Sequence, residues 1–280
     1  KDIQKGIHYL TLAANQKHSD ALLQLGLYYF DDRKEYHKGI YYLMLSSNQN
    51  NDKAQCFLGK LFLTGCHVER NYNKALLYFY LSAQQNNHKS EFFLGYMYST
   101  NKYVSRDIEK AIHYYKEASS FNYPYAKNNL AIIYKHGEGV EKNLWYSIEL
   151  LKEAIKYSED ALAMYNLCHI YLYEDIDGNN LDKSIELSIR SMNRGFEGSF
   201  ILFIISLIKK YKNINLTNIQ EETAKYSDLN QMNVKIKEIY RAIIFYQFNN
   251  SNNFNLFYQS VKHFDFIYDY DFSFDIAFYF

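Results

Sequence analysis

The stretch Ala54–Ala83, AQCFLGKLFLTGCHVERNYNKALLYFYLSA, decides the fold. Ala54, Leu58 and Phe62 stand four apart and therefore share one face of a helix. Gly59 sits beside them without a side chain, which lets another backbone come close. Gly65 can end this helix in a left-handed conformation, and Asn71 can cap a second one. In that second helix Ala75, Tyr78, Phe79, Ser82 and Ala83 follow the three-and-four spacing of a buried stripe. The stretch reads as helix, glycine-marked loop, helix, and it carries no catalytic constellation.

Its framework recurs. The leucine returns as Leu25, Leu58, Leu94, Leu130 and Leu167, at intervals of 33, 36, 36 and 37 residues by subtraction. The next residue is small each time: Gly26, Gly59, Gly95, Ala131 and Cys168. Four places after the leucine an aromatic ring follows, at Tyr29, Phe62, Tyr98, Tyr134 and Tyr171. Asn71, Asp107, Asn143 and Asn180 recur as helix caps, and Ala75, Ala111, Ser147 and Ser184 open the second helices. Columns that keep one period of roughly 20–50 residues signal stacked repeats.

These columns resemble the Sel1-like repeat, a relative of the tetratricopeptide repeat. Its pattern is an A-x-x-x-L-G-x-x-Y first helix, a G-x-G-V loop and a D-x-x-K-A second helix ending in A-A. The match is fullest in Ala126–Ala154, where Leu130 and Tyr134 are followed by Gly137, Gly139, Val140, Asn143 and Ala154. The resemblance implies an all-α fold, a right-handed α–α solenoid of antiparallel helix pairs, and the role of a non-enzymatic adaptor. On this reading residues 1–195 hold a half repeat and five helix pairs, and residues 196–280 hold degenerate repeats that continue the same solenoid.

In tetratricopeptide-like stacks the first helices line the concave side. Carried over column by column, the groove positions are Leu23, Leu27, Phe30, Lys60, Phe92, Tyr96, Asn128, Lys135, Tyr165, His169 and Tyr173. Aromatic rings interleaved with Asn, Lys and His can hold an extended peptide or a helix of a partner protein. The same rings can equally serve to cover neighbouring repeats, and both readings stay open at this point.

Family resemblance divides the function further. Sel1/Hrd3-type members support a membrane ubiquitin ligase in endoplasmic-reticulum-associated degradation. The late pattern Phe254-Asn-Leu, Ile267-Tyr-Asp, Asp275-Ile-Ala-Phe resembles the last repeat of that branch. A membrane protein would then be a partner. Other Sel1-like proteins are cytosolic regulators that activate an enzyme at a membrane or cell wall. A third reading makes these repeats the docking arm of an enzyme whose catalytic domain lies outside residues 1–280. Both the endoplasmic reticulum lumen and the cytoplasm suit these alternatives.

Composition bounds the chemistry. Of 280 residues 48% are hydrophobic, enough for a core, and 30 Tyr with 20 Phe suit helix interfaces in which a ring packs while a hydroxyl reaches out. Lys plus Arg and Asp plus Glu both number 31, so there is no basic field for nucleic acid or an anionic membrane. Cys56 and Cys168 fall on helical repeat positions as small apolar residues, and three cysteines without a repeated pair argue against a disulfide-stapled framework.

Along the chain, residues 2–15 read as a second helix without its first, which predicts a fragment of a longer protein. Asp20–Asn51 is the shortest unit, with Asp31, Asp32 and Arg33 where loop glycines belong. Pro124 suits a helix start, and Trp145 lies near the start of a second helix. Phe200–Ile208 is apolar all round, which predicts a fully buried helix far short of the roughly 20 residues that cross a bilayer. A further helix is expected over about 234–248, another over 254–264, and a helix or strand at the aromatic, aspartate-rich end.

Other sites weigh less. Gly137 and Gly139 lack the Lys-Ser/Thr and the preceding strand of a phosphate loop. Asp175, Asp177, Asn179 and Glu186 have part of a calcium-loop spacing, but Gly178 is misplaced for its turn. Cys56, Cys66 and His67 have no second cluster to complete a zinc site. His113 and the other histidines have no nearby nucleophile or H-E-x-x-H. No cofactor or catalytic residue is assigned. Asn215-Leu-Thr217 and Asn249-Asn-Ser251 are glycosylation sequons that an Asn-rich chain carries by composition.

Overall fold

A computed structural model describes residues 3–174, 180–196 and 198–210, and every element among these residues is helical. They belong to two units, one ending at Glu159 and one beginning at Asp160. The expected helices beyond residue 210, the aromatic end, the two sequons and Asp175, Asp177 and Asn179 lie outside the described residues.

In the first unit a single helix, α1 (Ile3–Asn15), precedes four pairs. These are α2 (Ser19–Leu27) with α3 (Tyr36–Asn48), α4 (Asp52–Thr64) with α5 (Tyr72–Ala83), α6 (His88–Ser99) with α7 (Ile108–Ser120), and α8 (Pro124–His136) with α9 (Leu144–Ser158). Consecutive helices pack on one another. Ser46, near the end of α3, donates to the carbonyl of Ser19 at the start of α2 (2.7 Å), so the pair runs antiparallel. Ser82 does the same for Asp52 in the next pair (2.8 Å).

Each pair is closed by the recurring aromatic residue of its first helix. Its carbonyl accepts the backbone N–H of the residue that caps the second helix: Asn71 to Phe62, Asp107 to Tyr98 and Asn143 to Tyr134, each at 2.9 Å, and Glu35 to Tyr29 at 2.8 Å. Its ring lies beneath the lysine one turn into the second helix, with Lys38 3.8 Å from Tyr29, Lys74 5.1 Å from Phe62 and Lys110 5.2 Å from Tyr98. A tyrosine of the same second helix stacks on it as well: Tyr42 on Tyr29 at 5.5 Å, Tyr78 on Phe62 at 5.7 Å and Tyr114 on Tyr98 at 6.1 Å. In the fourth pair Tyr146 replaces the lysine, and it meets Tyr134 edge-on at 4.7 Å.

The small residue after the leucine makes room for a buried side chain of the partner helix. A Cβ on Gly26 would lie 2.8 Å from Leu43, on Gly59 2.7 Å from Phe79, and on Gly95 2.6 Å from Tyr115. Leu43, Phe79 and Tyr115 are fully buried as a result. The leucines between them, Leu25, Leu58, Leu94 and Leu130, are buried too, as are Ala54 and Phe62 on the same stripe.

Helix ends follow the local chemistry. Gly65 (φ +77°) and Gly137 (φ +73°) end α4 and α8 in the left-handed region, where a Cβ would be strained. The first pair has no such glycine, and its first helix ends instead in a π-turn, Tyr28–Asp32, that takes up the shortened loop. Between repeats the turn residue with positive φ is Lys17, Asn50, Asn86 or Asn122, mostly the residue type besides glycine that best tolerates it. Asn51 and Asn87 follow and cap the next helix, their side chains accepting from Ala54 and Ser90 N–H at 3.0 and 3.1 Å. Asn71, Asp107 and Asn143 cap their helices as expected.

The second unit holds α10 (Ala161–Tyr173), α11 (Leu181–Asn193) and α12 (Ser199–Lys210). Asp160 caps α10 through Leu162 N–H at 2.8 Å, and Ser191 of α11 donates to the Ala161 carbonyl at 2.6 Å. Lys183 lies 5.5 Å from the Tyr171 ring, the same clamp as in the first unit. Asn180 departs from expectation: it precedes α11 in a helical conformation and makes no side-chain cap. In the glycine column stands Cys168, whose thiol touches the Ser184 hydroxyl at 3.2 Å. Ser199 donates to Ser191 at 2.7 Å, as Ser90 does to Ser82 at 2.8 Å in the first unit. Leu202, Phe203, Ile205 and Leu207 of α12 are buried, in keeping with the apolar run read there.

Two outcomes follow from this packing. Gly59→Ala is expected to lower unfolding free energy by about 1–3 kcal/mol through overpacking, read by urea denaturation. Adding Phe79→Leu, which copies the Ala131 and Leu151 columns, should recover part of it; no recovery would mean the ring is not the obstacle. The Ser147 hydroxyl is buried without a hydrogen-bond partner. Ser147→Ala should therefore leave stability unchanged or raise it by about 1 kcal/mol, and a loss would contradict the geometry.

Candidate protein-binding surface

The eleven positions carried over from the repeat pattern all fall on first helices or on the π-turn that ends α2. Leu23, Phe30, Phe92, Asn128, Lys135 and Tyr165 are buried, and Leu27, Lys60, Tyr96, His169 and Tyr173 are half-buried. In the first unit their side chains link each first helix to the next. Phe30 meets Phe57 of α4 edge-on at 5.4 Å, Lys60 of α4 lies 5.5 Å from the Phe93 ring of α6, and Phe92 lies 6.1 Å from Tyr125 of α8.

Phe92 is the centre of a larger cluster. Tyr123 lies 5.3 Å away and Tyr96 6.5 Å away. Tyr96 extends the cluster to Tyr103, ring to ring at 5.4 Å and hydroxyl to hydroxyl at 3.1 Å, and Tyr72 closes on Tyr103 at 5.2 Å. Phe57, Tyr96, Tyr103, Tyr123 and Tyr125 are half-buried, so each packs one side and presents the other. Tyr72, Tyr103, Tyr123 and Tyr125 lie outside the repeat columns that were carried over.

Polar groups sit among these rings. Burial holds the Lys60 ammonium below its ordinary range; Cys56 opposes this and Lys89 adds to it. Lys127, almost wholly buried, bonds to Asn122 at 2.9 Å and pairs with Glu153. Tyr115 receives a bond from Asn129 at 3.0 Å, and burial pushes its hydroxyl up to about 12. In the second unit Tyr165 packs on Phe196 at 5.0 Å and His169 on Tyr173 at 4.5 Å. Lys209 lies 4.9 Å from the Tyr173 ring and donates to the Leu172 carbonyl at 2.7 Å.

The remaining candidates resolve locally. Gly137 and Gly139 form the loop between α8 and α9, and Ile108 packs against the space where Gly139 would carry a Cβ. His67 holds the corresponding left-handed position (φ +57°) and stacks on Tyr36. His113 is exposed on α7. Among the described residues no three His, Cys, Asp or Glu side chains converge as a metal site, and no helix is long and apolar enough to cross a membrane.

This is a protein of stacked helix pairs, with aromatic and basic side chains linking the first helices of its first unit. The Sel1 repeat model matches residues 1–18, 19–51, 52–87, 88–120, 124–156 and 161–195, and the chain belongs to the Sel1 repeat family. Those six matches are the half repeat and five pairs read from the sequence. Two solved structures share the fold. One is a protective antigen present in uropathogenic Escherichia coli strains, displaying an SLR fold: 22% identity, TM-score 0.66, covering 73% of this chain and 44% of that one. The chain thus spans under half the antigen's length. The other is a Sel1 repeat protein from Oxalobacter formigenes: 20% identity, TM-score 0.62, covering 76% of this chain and 87% of that one. No curated protein matches the chain.

The three free cysteines should separate by reactivity. Burial raises the thiol pKa of all three, to about 12 for Cys168, but Cys56 and Cys168 are buried whereas Cys66 is only half-buried. At about pH 8 iodoacetamide should alkylate Cys66 first, with Cys56 and Cys168 reacting only in denaturant. Equal rates by timed mass spectrometry would contradict this burial.

Proposed function

We propose that the chain is a non-enzymatic scaffold that holds partner proteins on its first-helix face. Sel1 repeat proteins are generally protein-interaction scaffolds, and family membership supplies the class of activity. One observation carries the choice of face: the half-buried aromatic strip of Phe57, Tyr96, Tyr103, Tyr123 and Tyr125, which runs from α4 to α8. Tyrosine and phenylalanine anchors contribute most of the energy in protein interfaces, and half-buried rings lose little freedom on binding. Of the carried-over positions in the first unit, Phe30 and Phe92 pack against rings of this strip and Tyr96 forms part of it.

Residues 196–280 are read as continuing the repeats. Support comes from Ser199 and Phe203, which occupy the small and leucine columns of a first helix in α12. The narrower roles differ in their partner: a membrane ubiquitin-ligase protein for endoplasmic-reticulum-associated degradation, a membrane or cell-wall enzyme for a cytosolic activator, and a catalytic domain on the same polypeptide for a docking arm. The degradation reading rests on the pattern over residues 254–278, outside the described residues.

Photo-crosslinking tests the face. A benzophenone side chain at Tyr96 or Tyr125 should give discrete protein adducts in cells, and one at His113 or Glu149, on second helices, should not. Phe57→Ala combined with Tyr123→Ala should reduce the Tyr96 adducts at least about tenfold. Adducts that survive this double substitution, or that arise equally from His113 and Glu149, would place binding elsewhere.

A further inference from the structure

The repeats supply an internal control for their own outer surface. In α3, α5, α7 and α9 two columns, the second and fifth residues after the small one, face water. In α7 they are His113 and Lys116, and in α9 they are Glu149 and Lys152, all exposed and all polar. In α3 the same columns hold Tyr41 (59% exposed) and Met44 (37%), and in α5 they hold Leu77 (54%) and Tyr80 (46%). Since α7 and α9 fold with charge in these columns, the apolar choice in α3 and α5 is not required by the repeat.

The two helices belong to the same unit, on either side of α4, and share one core. Ile40 and Leu43 of α3 belong to a buried cluster against which Tyr78 of α5 also packs. On each helix the apolar pair is preceded by a lysine one turn earlier, giving Lys38, Tyr41, Met44 and Lys74, Leu77, Tyr80, at the same spacing of three. Neither helix contains an Asp or Glu, whereas α7 carries Glu109 and Glu117 and α9 carries Glu149 and Glu153. Lys38 lies 3.8 Å from Glu35 at the start of α3; Lys74 lies over the Phe62 ring. The positive ends of the helix dipoles lie at this same lysine end.

We propose that the outer face of α3 and α5 is a second docking surface, whose occupant is an amphipathic helix of a partner protein. Its apolar stripe, at spacings of three and four, lies on Tyr41, Met44, Leu77 and Tyr80, and its carboxylates sit at the end facing Lys74. The acid-free helices and their lysine end select an acidic over a basic flank. The zero net charge of the chain supplies no field to hold an anionic lipid surface. This surface is independent of the first-helix face, so either can fail without the other.

The test selects a displayed library of amphipathic helical peptides against the 280-residue chain, then measures the enriched peptides by fluorescence anisotropy. The expected binders carry Leu, Phe or Met at helical spacing with Asp or Glu toward one end. Leu77→Ala with Tyr80→Ala should weaken them at least about tenfold, and Lys74→Glu should weaken them at low salt more than at high salt. Lys116→Ala, Glu149→Ala and Tyr96→Ala should change nothing. All of these side chains are exposed or half-buried, and circular dichroism checks that each variant is folded. Basic binders, or binders indifferent to the α5 variants, would overturn the proposal. So would dimerisation in sedimentation, or binding to phosphatidylserine vesicles, that the same variants abolish.

Discussion

Each pair depends on one aromatic residue doing three things at once. The carbonyl of Tyr29, Phe62, Tyr98 or Tyr134 fixes the start of the second helix, and its ring is covered from that helix by a lysine, a tyrosine or both. The carbonyl bond sets where the second helix begins, and the ring sets how it is rotated. A loop can then vary freely between them. From aromatic to cap the chain spans nine residues in three pairs and six in the first. The π-turn at Tyr28–Asp32 absorbs that difference without moving the anchor. The cation over the ring gains a few tenths to one kcal/mol at an exposed site, roughly, so its value lies in rotation and register more than in strength.

Opposing columns compensate in the same way. Glycine faces Leu43, Phe79 or Tyr115, while in the last described pair the thiol of Cys168 meets the small side chain of Ser184. Between repeats the hydroxyls of Ser82 and Ser90, and of Ser191 and Ser199, bond to each other, and where Ala118 stands the next repeat carries Ala126. A hydroxyl buried without a partner, as at Ser147, forfeits a hydrogen bond; a pair, or none, does not. Such exchanges let the repeat drift in sequence while its spacing holds, which is why identity near 20% accompanies a shared fold.

Much of this was legible in the sequence. Leu25 to Leu167, the adjacent small residues and the aromatic column fixed the helix pairs, and Asn71, Asp107 and Asn143 were recognisable as caps because a side-chain oxygen before a helix has one common use. Asn180 misled, since cap geometry depends on a backbone dihedral that composition does not encode. The left-handed Asn50, Asn86 and Asn122 recur with the repeat, but asparagine occupies that region far less often than glycine, so residue type alone does not mark them. The lysine column was present in the D-x-x-K-A pattern, but its role requires knowing that Lys74 and Phe62, twelve residues apart, end up face to face. Loop tyrosines such as Tyr103 and Tyr123 could not be placed on the binding strip, because nothing periodic locates them.

The division between what was legible and what was not also separates stability from function. Columns that recur are those each pair needs in order to close, and the same physics fills them with Leu, small residues and rings in every repeat. Recognition of a particular partner cannot reside there, because any Sel1 repeat would share it. It must reside where equivalent positions differ: Leu27, Lys60, Tyr96, Ile132 and His169 in one first-helix column, or Tyr41, Leu77, His113 and Glu149 in one second-helix column. A repeat protein thus writes its specificity in the departures from its own period. Two such departures, the half-buried rings of the first-helix strip and the exposed Tyr41, Met44, Leu77 and Tyr80 of α3 and α5, carry the surfaces proposed for partners.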